Sequence, residues 1–268
     1  MVIESLINPA QIRQSYWRLS LVGLFYAVVS GLLAYAFFQQ YASIAMVFFT
    51  VAVCVPFMHG LLKNEEAHED LFLTESSFLD EYGHVAFGLL CLFIGITAGY
   101  VLLYFLMPAS LQEVLFSAQE ATVTSINGRM TLGGVLADIV ANNMVVLLLS
   151  LALSFLYGFG ALTIIVWNSS IVAYAIGMFV TEALSKVSGV FAFGWAFLRY
   201  FLHGIPEIGA YFIAGLAGGI LSIAVMNHDI STKRGKKVLY DAFQLAVLSA
   251  LLIILAGVIE VMVTPLLY

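Results

Sequence analysis

The residues best suited to chemistry in this sequence are a histidine and a glutamate four positions apart, His203 and Glu207, within FLHGIPEIGAYFIAGLAGG. A spacing of four puts two side chains on one face of a helix, which suits metal binding, proton relay or internal pairing. Gly204 and Pro206 stand between them, and proline favours the first turn of a helix. We therefore predict a helix that begins near residue 205, with the pair as a structural cap. The alternative is a polar site, because ionisable residues are costly at membrane depth.

Three further polar residues lie within or beside long apolar stretches. Asn143 opens one stretch, where asparagine is a good N-cap, and Asn168 falls where we expect a tight turn or, alternatively, a broken helix that exposes its backbone to a cavity. Glu260 comes near the end of the last stretch. It is interpreted either as an interfacial carboxylate or as a buried partner of His203 or Asn143.

The composition defines the environment of these residues. Of 268 residues, 62% are hydrophobic and 10% are charged, and the mean hydropathy is +1.03. Soluble domains carry roughly a quarter of charged residues. In lipid the backbone polar groups must pair within the segment, which helices achieve, and the apolar runs do not alternate as those of a β-barrel would. The sequence therefore predicts an all-α, polytopic helical membrane bundle whose first partner is the lipid bilayer.

Seven apolar stretches are long enough to cross a bilayer, for which about 20 residues are needed. They are 19–38, 41–62, 84–107, 142–166, 169–185, 205–226 and 239–261. The aromatic segment 190–201 is too short to span and carries Arg199, so a short re-entrant or interfacial helix is predicted there. The prediction is thus about seven transmembrane helices and one such short helix.

The basic residues predict the orientation in the cell membrane. With seven crossings, seven of the ten basic residues fall on one side, and the positive-inside rule makes that side cytoplasmic. The N-terminus is then cytoplasmic and the C-terminus extracytoplasmic. This orientation brings one set of residues to the outer side, where we expect a shared polar layer: Asn143, Glu182, His203, Glu207 and Glu260.

The chain divides into three parts in this scheme. Residues 1–107 form a three-helix membrane region, 108–141 an extracytoplasmic connector with short amphipathic helices, and 142–268 a four-helix membrane core. Glycines in the core are interpreted as helix breaks or as close packing positions, since small residues let membrane helices approach. They are Gly158, Gly160, Gly204, Gly215, Gly218 and Gly219.

The rear of the chain resembles the stage II sporulation protein M family of membrane proteins. The resemblance rests on NN at 142–143, YGFGALTIIVWNSSIVAYAIG at 157–177, HGIPEIGAYFIAGLAGG at 203–219 and IEVMVTP at 259–265. One departure is Asn168-Ser169, where the family pattern has Asn-Gly. The matching positions are Asn143, Gly158, Gly160, Asn168, Gly177, His203, Gly204, Glu207, Gly215, Gly218, Glu260, Thr264 and Pro265.

The resemblance implies a membrane component that works with protein partners. In spore-formers the named member belongs to a membrane complex with cell-wall-remodelling partners and is not itself the hydrolase, and relatives also occur in prokaryotes that do not sporulate. We therefore expect a non-enzymatic scaffold or assembly partner with membrane or extracytoplasmic protein partners, or a homo-oligomer. No catalytic residue, metal site, cofactor or nucleic-acid partner is expected.

Two other functions stay open at this point. A transporter or channel component uses broken helices and intramembrane Asn, His and Glu side chains. An intramembrane hydrolase or metalloenzyme at His203 and Glu207 is the third reading, although a metal site usually needs three or more protein ligands. A cavity lined by the polar residues favours transport, and dry packing around them counts against it.

Overall fold

The structure is a computed structural model that describes residues 17–69, 78–129, 135–157, 160–184, 189–226 and 232–262. These residues are almost entirely helical and contain no strand, which confirms the all-α prediction. A short 3-10 turn, Gln39–Tyr41, separates the first two helices. The helices are α1 Trp17–Phe38, α2 Ala42–Glu69, α3 Phe78–Leu106, α4 Ala109–Leu115, α5 Ser117–Arg129, α6 Val135–Tyr157, α7 Ala161–Leu184, α8 Gly189–Met226 and α9 Lys233–Met262.

Six stretches of the described residues are long and apolar enough to cross a membrane. They are Trp17–Pro56, Phe87–Leu106, Leu136–Phe155, Leu162–Glu182, Leu202–Ser222 and Gly235–Met262. The first stretch contains all of α1, the 3-10 turn and the start of α2. The helical membrane bundle is confirmed, and the number of about seven transmembrane helices stays a prediction.

The long helix α8 corrects the prediction for the segment around His203. It runs without a break from Gly189 to Met226 and carries Pro206 in its interior. The separate short helix predicted at 190–201 and the helix start near 205 are therefore wrong. A proline inside a membrane helix removes one backbone bond, but neighbouring groups satisfy the freed carbonyl, so the helix continues. His203 and Glu207 consequently share a helical face, and Glu207 is not in a first turn.

The boundary between α6 and α7 also differs from the prediction. Residue 160 lies in the turn before α7, and Asn168 lies inside α7 rather than at a junction. The predicted end of one span at 166 and start of the next at 169 are therefore wrong, because the chain turns back at Gly160. A Cβ atom added at Gly160 would collide with the backbone of Leu153, so only glycine allows this close return. Gly158 is outside the described residues.

In the front of the bundle, α1 and α3 lie side by side and run in the same direction. Gly95 sits on the backbone of Ser20, and a Cβ added at Gly99 would lie 2.6 Å from the carbonyl oxygen of Leu24. The hydroxyl of Ser20 also donates to the carbonyl of Cys91 at 2.8 Å. Small residues thus bring the two backbones into direct contact, as they do in many membrane helix pairs.

In the rear, α6 and α8 run in the same direction and α9 runs against them. Ser150 of α6 meets Tyr211 of α8, and a Cβ at Gly218 would lie 3.0 Å from that of Ser154, in the same order along both helices. Gly257 of α9 packs instead on Val140, near the start of α6. The start of α6 and the end of α9 therefore lie at the same side of the bundle.

Helix α7 joins the two halves. Gly177 packs on the ring of Tyr104 in α3, and the Tyr104 and Tyr174 rings meet edge to face at 6.0 Å. At its other end Ile164 packs on the rear cluster of Leu147, Ala210, Tyr211, Ala214 and Ile253. The larger buried cluster continues from α1 through α2, α3 and α7 to α8 and α9. One apolar core therefore holds the front and rear helices together.

We predict that Gly95→Ala destabilises the protein by about 1–3 kcal/mol, because the added methyl group forces α1 and α3 apart. The matched control is Gly209→Ala in α8, where an added Cβ would meet nothing within 4 Å. That substitution should be neutral or gain up to about 1 kcal/mol from helix propensity. Thermal unfolding in detergent compares the two, and equal stability of both variants would contradict the close α1–α3 contact.

Candidate functional site

The centre of the rear polar site is a hydrogen bond within α8. The hydroxyl of Tyr211 donates to Oε1 of Glu207 at 2.9 Å. The two residues are four apart, so the tyrosine covers the turn that carries the glutamate. Tyr211 is 1% exposed, whereas Glu207 is partly accessible. The carboxylate thus stands at the edge of the packed region, with one oxygen held from the buried side.

Tyr211 also connects α8 to α6. The hydroxyl of Ser150, which is fully buried, donates to the Tyr211 carbonyl at 2.9 Å. The apolar residues of the rear cluster, which come from α6, α8 and α9, surround this contact. Tyr211 is therefore held by hydrogen bonds at its backbone carbonyl and at its side-chain hydroxyl, and the hydroxyl sets the position of the Glu207 carboxylate.

A second carboxylate reaches the same place from α9. Glu260 lies close enough for its charge to act on both Glu207 and Tyr211. It is partly accessible, like Glu207. Both glutamates fall within candidate membrane spans, at residues 202–222 and 235–262. Two carboxylates in such a setting repel each other when both are ionised, because little solvent screens them.

Asn143 lies near the height of the turn between Gly204 and Glu207 on the neighbouring helix. Counting back along the two parallel helices from the Ser150–Tyr211 contact leads to residue 204, and from the Ser154–Gly218 contact to Glu207. Asn143 is 8% exposed and accepts a hydrogen bond from the Asn142 amide at 3.3 Å. His203 lies one turn before Glu207 on the same face of α8. The residues from α6, α8 and α9 thus gather at one side of the bundle.

Asn168 has a different setting. Its amide nitrogen donates to the Ile164 carbonyl at 2.8 Å, within its own helix. Asparagine and similar side chains often bond to the preceding turn in this way, which satisfies the amide without a tertiary partner. Among the hydrogen bonds of the described residues, none joins Asn168 to Glu207 or Glu260. It belongs to the interior of α7 and not to the site at the end of α9.

The predicted glycine positions fall into distinct settings. Gly218 lies against the backbone of α6, and Gly215 and Gly219 are buried in the same stretch of α8. Gly204 is different, because an added Cβ would meet nothing within 4 Å. The turn of α8 next to His203 therefore has open space beside it, whereas the following turns are tightly packed.

The residues with described side chains offer no ready metal centre. Across the described ranges there is no group of three or more His, Cys, Asp or Glu side chains arranged to hold a metal ion. His203, Glu207 and Glu260 are thus not part of such a group. The arrangement brings a tyrosine and two carboxylates together, which can hold or exchange protons and can join helices.

A second polar network, which the sequence reasoning missed, lies in the connector. Gln119 of α5 is fully buried; its carbonyl oxygen accepts from Ser43 of α2 at 2.7 Å, and its amide nitrogen donates to Ser170 of α7 at 2.9 Å. Ser170 in turn donates to the Trp167 carbonyl at 2.7 Å. One glutamine therefore fastens α5 between α2 and α7.

Neighbouring residues complete the attachment of the connector. Leu115 and Phe116 are fully buried, and the Phe116 ring packs on Tyr104 at 5.6 Å. The amide of Gln112 donates to the carbonyls of Tyr104 and Met107, at 2.8 and 3.0 Å, where α3 ends. Short helices occur at 109–115 and 117–129, whereas residues 135–141 are the start of α6, and the inner faces of the short helices are buried in the bundle. The only sequence signal was the apolar spacing within LQEVLFSAQEA.

Fold and site together define a helical integral membrane protein with polar clusters at the helix ends. The model of the family described as stage II sporulation protein M matches residues 85–265. This match covers more than half of the chain, so the chain belongs to that family. No curated protein and no solved structure matches it.

The family match divides the molecule in an informative way. It contains most of α3, all helices from α4 to α9, and both polar networks except Ser43. Helices α1 and α2 precede it. They are nevertheless attached to the matched part by the glycine contacts of α3 and by Gln119. The residues that carried the resemblance, from Asn143 to Pro265, all lie within the match.

We predict that Tyr211→Phe lowers the free energy of unfolding by about 1–3 kcal/mol, because Glu207 loses its buried donor. Glu207→Gln should cost less, since the amide oxygen still accepts from Tyr211 and one of the two like charges is removed. Tyr240→Phe is the matched control, because that tyrosine is 62% exposed. Thermal unfolding in detergent ranks the three, and a Tyr211→Phe variant as stable as the control would contradict the role given to the hydroxyl.

We also predict that Gln119→Met lowers the free energy of unfolding by about 1–3 kcal/mol, because the Ser43 and Ser170 hydroxyls lose partners inside the core. Methionine keeps the length of the side chain, so packing is largely preserved. Adding Ser43→Ala and Ser170→Ala to the same protein should recover part of the loss. A Gln119→Met variant as stable as the original would show that the network contributes nothing.

Proposed function

We propose that the protein is a non-enzymatic scaffold that assembles a membrane complex through its connector side. The supporting observation is that buried polar side chains serve to hold helices together. Gln119 joins three helices, and Tyr211 connects α8 to Ser150 and to Glu207. Groups committed to such contacts give the bundle one fixed shape, which a platform for partners requires.

The proposed contact surface is the outer face of α4 and α5. Among the described side chains its exposed residues are polar or small, and they are Ala109, Ser110, Glu113, Ser117, Glu120, Ala121 and Thr124. The inner face of the same helices is buried, so the surface is held in a defined position on the bundle. In the proposed orientation, with the basic loops cytoplasmic, this face is extracytoplasmic and meets partners outside the membrane.

Photocrosslinking from single positions tests this proposal. A crosslinking amino acid at Ser110 or Ser117 should give one discrete protein adduct in native membranes. The same amino acid at Lys236 or Lys237, which are exposed at the start of α9, should give none. Glu113→Lys should abolish the adduct while the protein stays folded. Lys237→Glu, the matched charge reversal, should leave it unchanged. No discrete adduct from the connector positions would count against the scaffold.

The second candidate function is a transporter or channel component, and the proximity of Glu207 and Glu260 favours it. Two carboxylates on different membrane helices are an arrangement that proton or cation paths use. The variants Glu207→Gln and Glu260→Gln separate the two functions because they keep shape and remove charge. A scaffold should retain its crosslinked adduct in both variants. Flux in proteoliposomes that both variants abolish would favour transport instead.

A further inference from the structure

The start of α9 carries the densest positive charge of the sequence. Residues 233–237 read KRGKK, and the first turn of the helix contains no acidic residue. Positive charges near a helix N-terminus oppose the helix dipole and repel one another, so this arrangement lowers stability unless an anion lies close by. The Lys236 and Lys237 side chains are exposed. They are therefore accessible to an anion from outside the protein.

Lys236 begins a continuous exposed stripe along α9. The opposite face of the helix, with Leu245, Ser249 and Ile253, is buried in the bundle. Because the helix is a candidate membrane span, its exposed apolar face meets lipid chains. The residues that follow Lys236 on this face, at spacings of three or four, are aromatic or aliphatic and 43–67% exposed: Tyr240, Phe243, Val247, Leu251 and Ile254.

The order of residues along the stripe matches the layers of a bilayer. From Phe243 to Met262 the helix rises about 28 Å, close to the roughly 30 Å of the hydrocarbon core. Tyr240 lies about 4–5 Å before Phe243, and Lys236 about 10 Å before it. Tyrosine favours the headgroup level, and lysine lays its apolar stem along the helix and keeps its ammonium group in water. The Lys236 ammonium group therefore lies at the level of the lipid phosphates.

The two exposed lysines differ in their partners within α9. Asp241 lies one turn after Lys237, and the two are close enough for their charges to interact. Lys236 has no acidic residue three or four positions away in its own helix. Side chains at these spacings are the ones that meet on a helix surface. The charge of Lys237 is therefore partly neutralised, and that of Lys236 is directed to the surroundings.

Helix α1 begins on the same side of the bundle with a basic residue and an aromatic ring. The guanidinium group of Arg18 lies 5.9 Å from the centre of the Trp17 ring, and both side chains are exposed. Helix α7 ends beside the end of α3, because Gly177 packs on Tyr104. Since the chain turns back at Gly160, α6 begins and α9 ends on that side as well. The starts of α1 and α9 therefore face the other leaflet together.

We propose that Lys236 and Lys237 bind the headgroups of anionic phospholipids in the leaflet opposite the connector, with Tyr240 beside them at the headgroup level. In the proposed orientation this leaflet is cytoplasmic, where anionic lipids attract basic segments next to membrane helices. The lipid phosphate neutralises the charges that oppose the α9 dipole, so bound lipid stabilises the start of the helix. This site goes beyond the proposed scaffold, because it lies on the other side of the bundle and needs no partner protein.

Thermal unfolding in nanodiscs of phosphatidylcholine, with and without phosphatidylglycerol, tests the site. The anionic lipid should raise the Tm of the original protein by about 2–6 °C. The double variant Lys236→Gln, Lys237→Gln should lose at least half of this rise. In phosphatidylcholine alone its Tm should equal or exceed that of the original protein, because two charges that oppose the helix dipole are gone. No rise in the original protein, or an equal rise in the double variant, would overturn the proposal.

The matched control is Lys236→Arg, Lys237→Arg, which keeps both charges and should keep the rise. The single variants rank the two contacts and decide alone should the double variant fail to accumulate: Lys236→Gln should lose more of the rise than Lys237→Gln, which Asp241 already partly neutralises. The reverse order overturns the assignment of Lys236. Inorganic phosphate added to phosphatidylcholine nanodiscs at matched ionic strength should leave Tm unchanged. A rise as large as that with phosphatidylglycerol would indicate a site for free phosphate and overturn the lipid assignment.

Discussion

A polar group inside a lipid bilayer has to find its hydrogen-bond partner within the protein, and this constraint explains the arrangement of the bundle. Helices satisfy the backbone, but polar side chains need neighbours. The Asn168 amide bonds within its own helix. Gln119 of α5 bonds to α2 and α7, and Ser150 of α6 bonds to the backbone of α8. Apolar packing supplies most of the buried area, and these polar contacts decide which helices meet and at what height.

Close backbone contact is the second element of the design. Gly95 and Gly99 bring α3 onto α1, and Gly218 brings α8 onto α6. Lipid tails are as apolar as leucine, so membrane helices associate through close packing and polar contacts rather than through the hydrophobic effect. Such close contacts occur within the family-matched region and also between that region and α1. The two helices before the match are thus integral to the fold.

The sequence predicted the class of fold well because composition and long apolar stretches report directly on the membrane. The prediction failed at residues that occur both at helix boundaries and inside membrane helices. Pro206 suggested a helix start, but α8 runs through it, and Asn168 suggested a turn, but the turn lies at Gly160. Gln119 gave no local signal, because its partners lie 76 and 51 positions away. Tyr211 was missed although its hydroxyl bonds to Glu207, only four residues before it. The shared polar layer predicted from the sequence included Glu207 and Glu260, because carboxylates are rare within membrane spans.

The length of α8 has a mechanical consequence. Its 38 residues extend about 57 Å, nearly twice the thickness of a bilayer's hydrocarbon core. A helix of this length has to tilt or extend past the hydrocarbon core. Its part after Gly209 packs against α6 and α9. Pro206 precedes this packed part and lacks one backbone bond, so α8 bends most easily at the turn that carries Glu207.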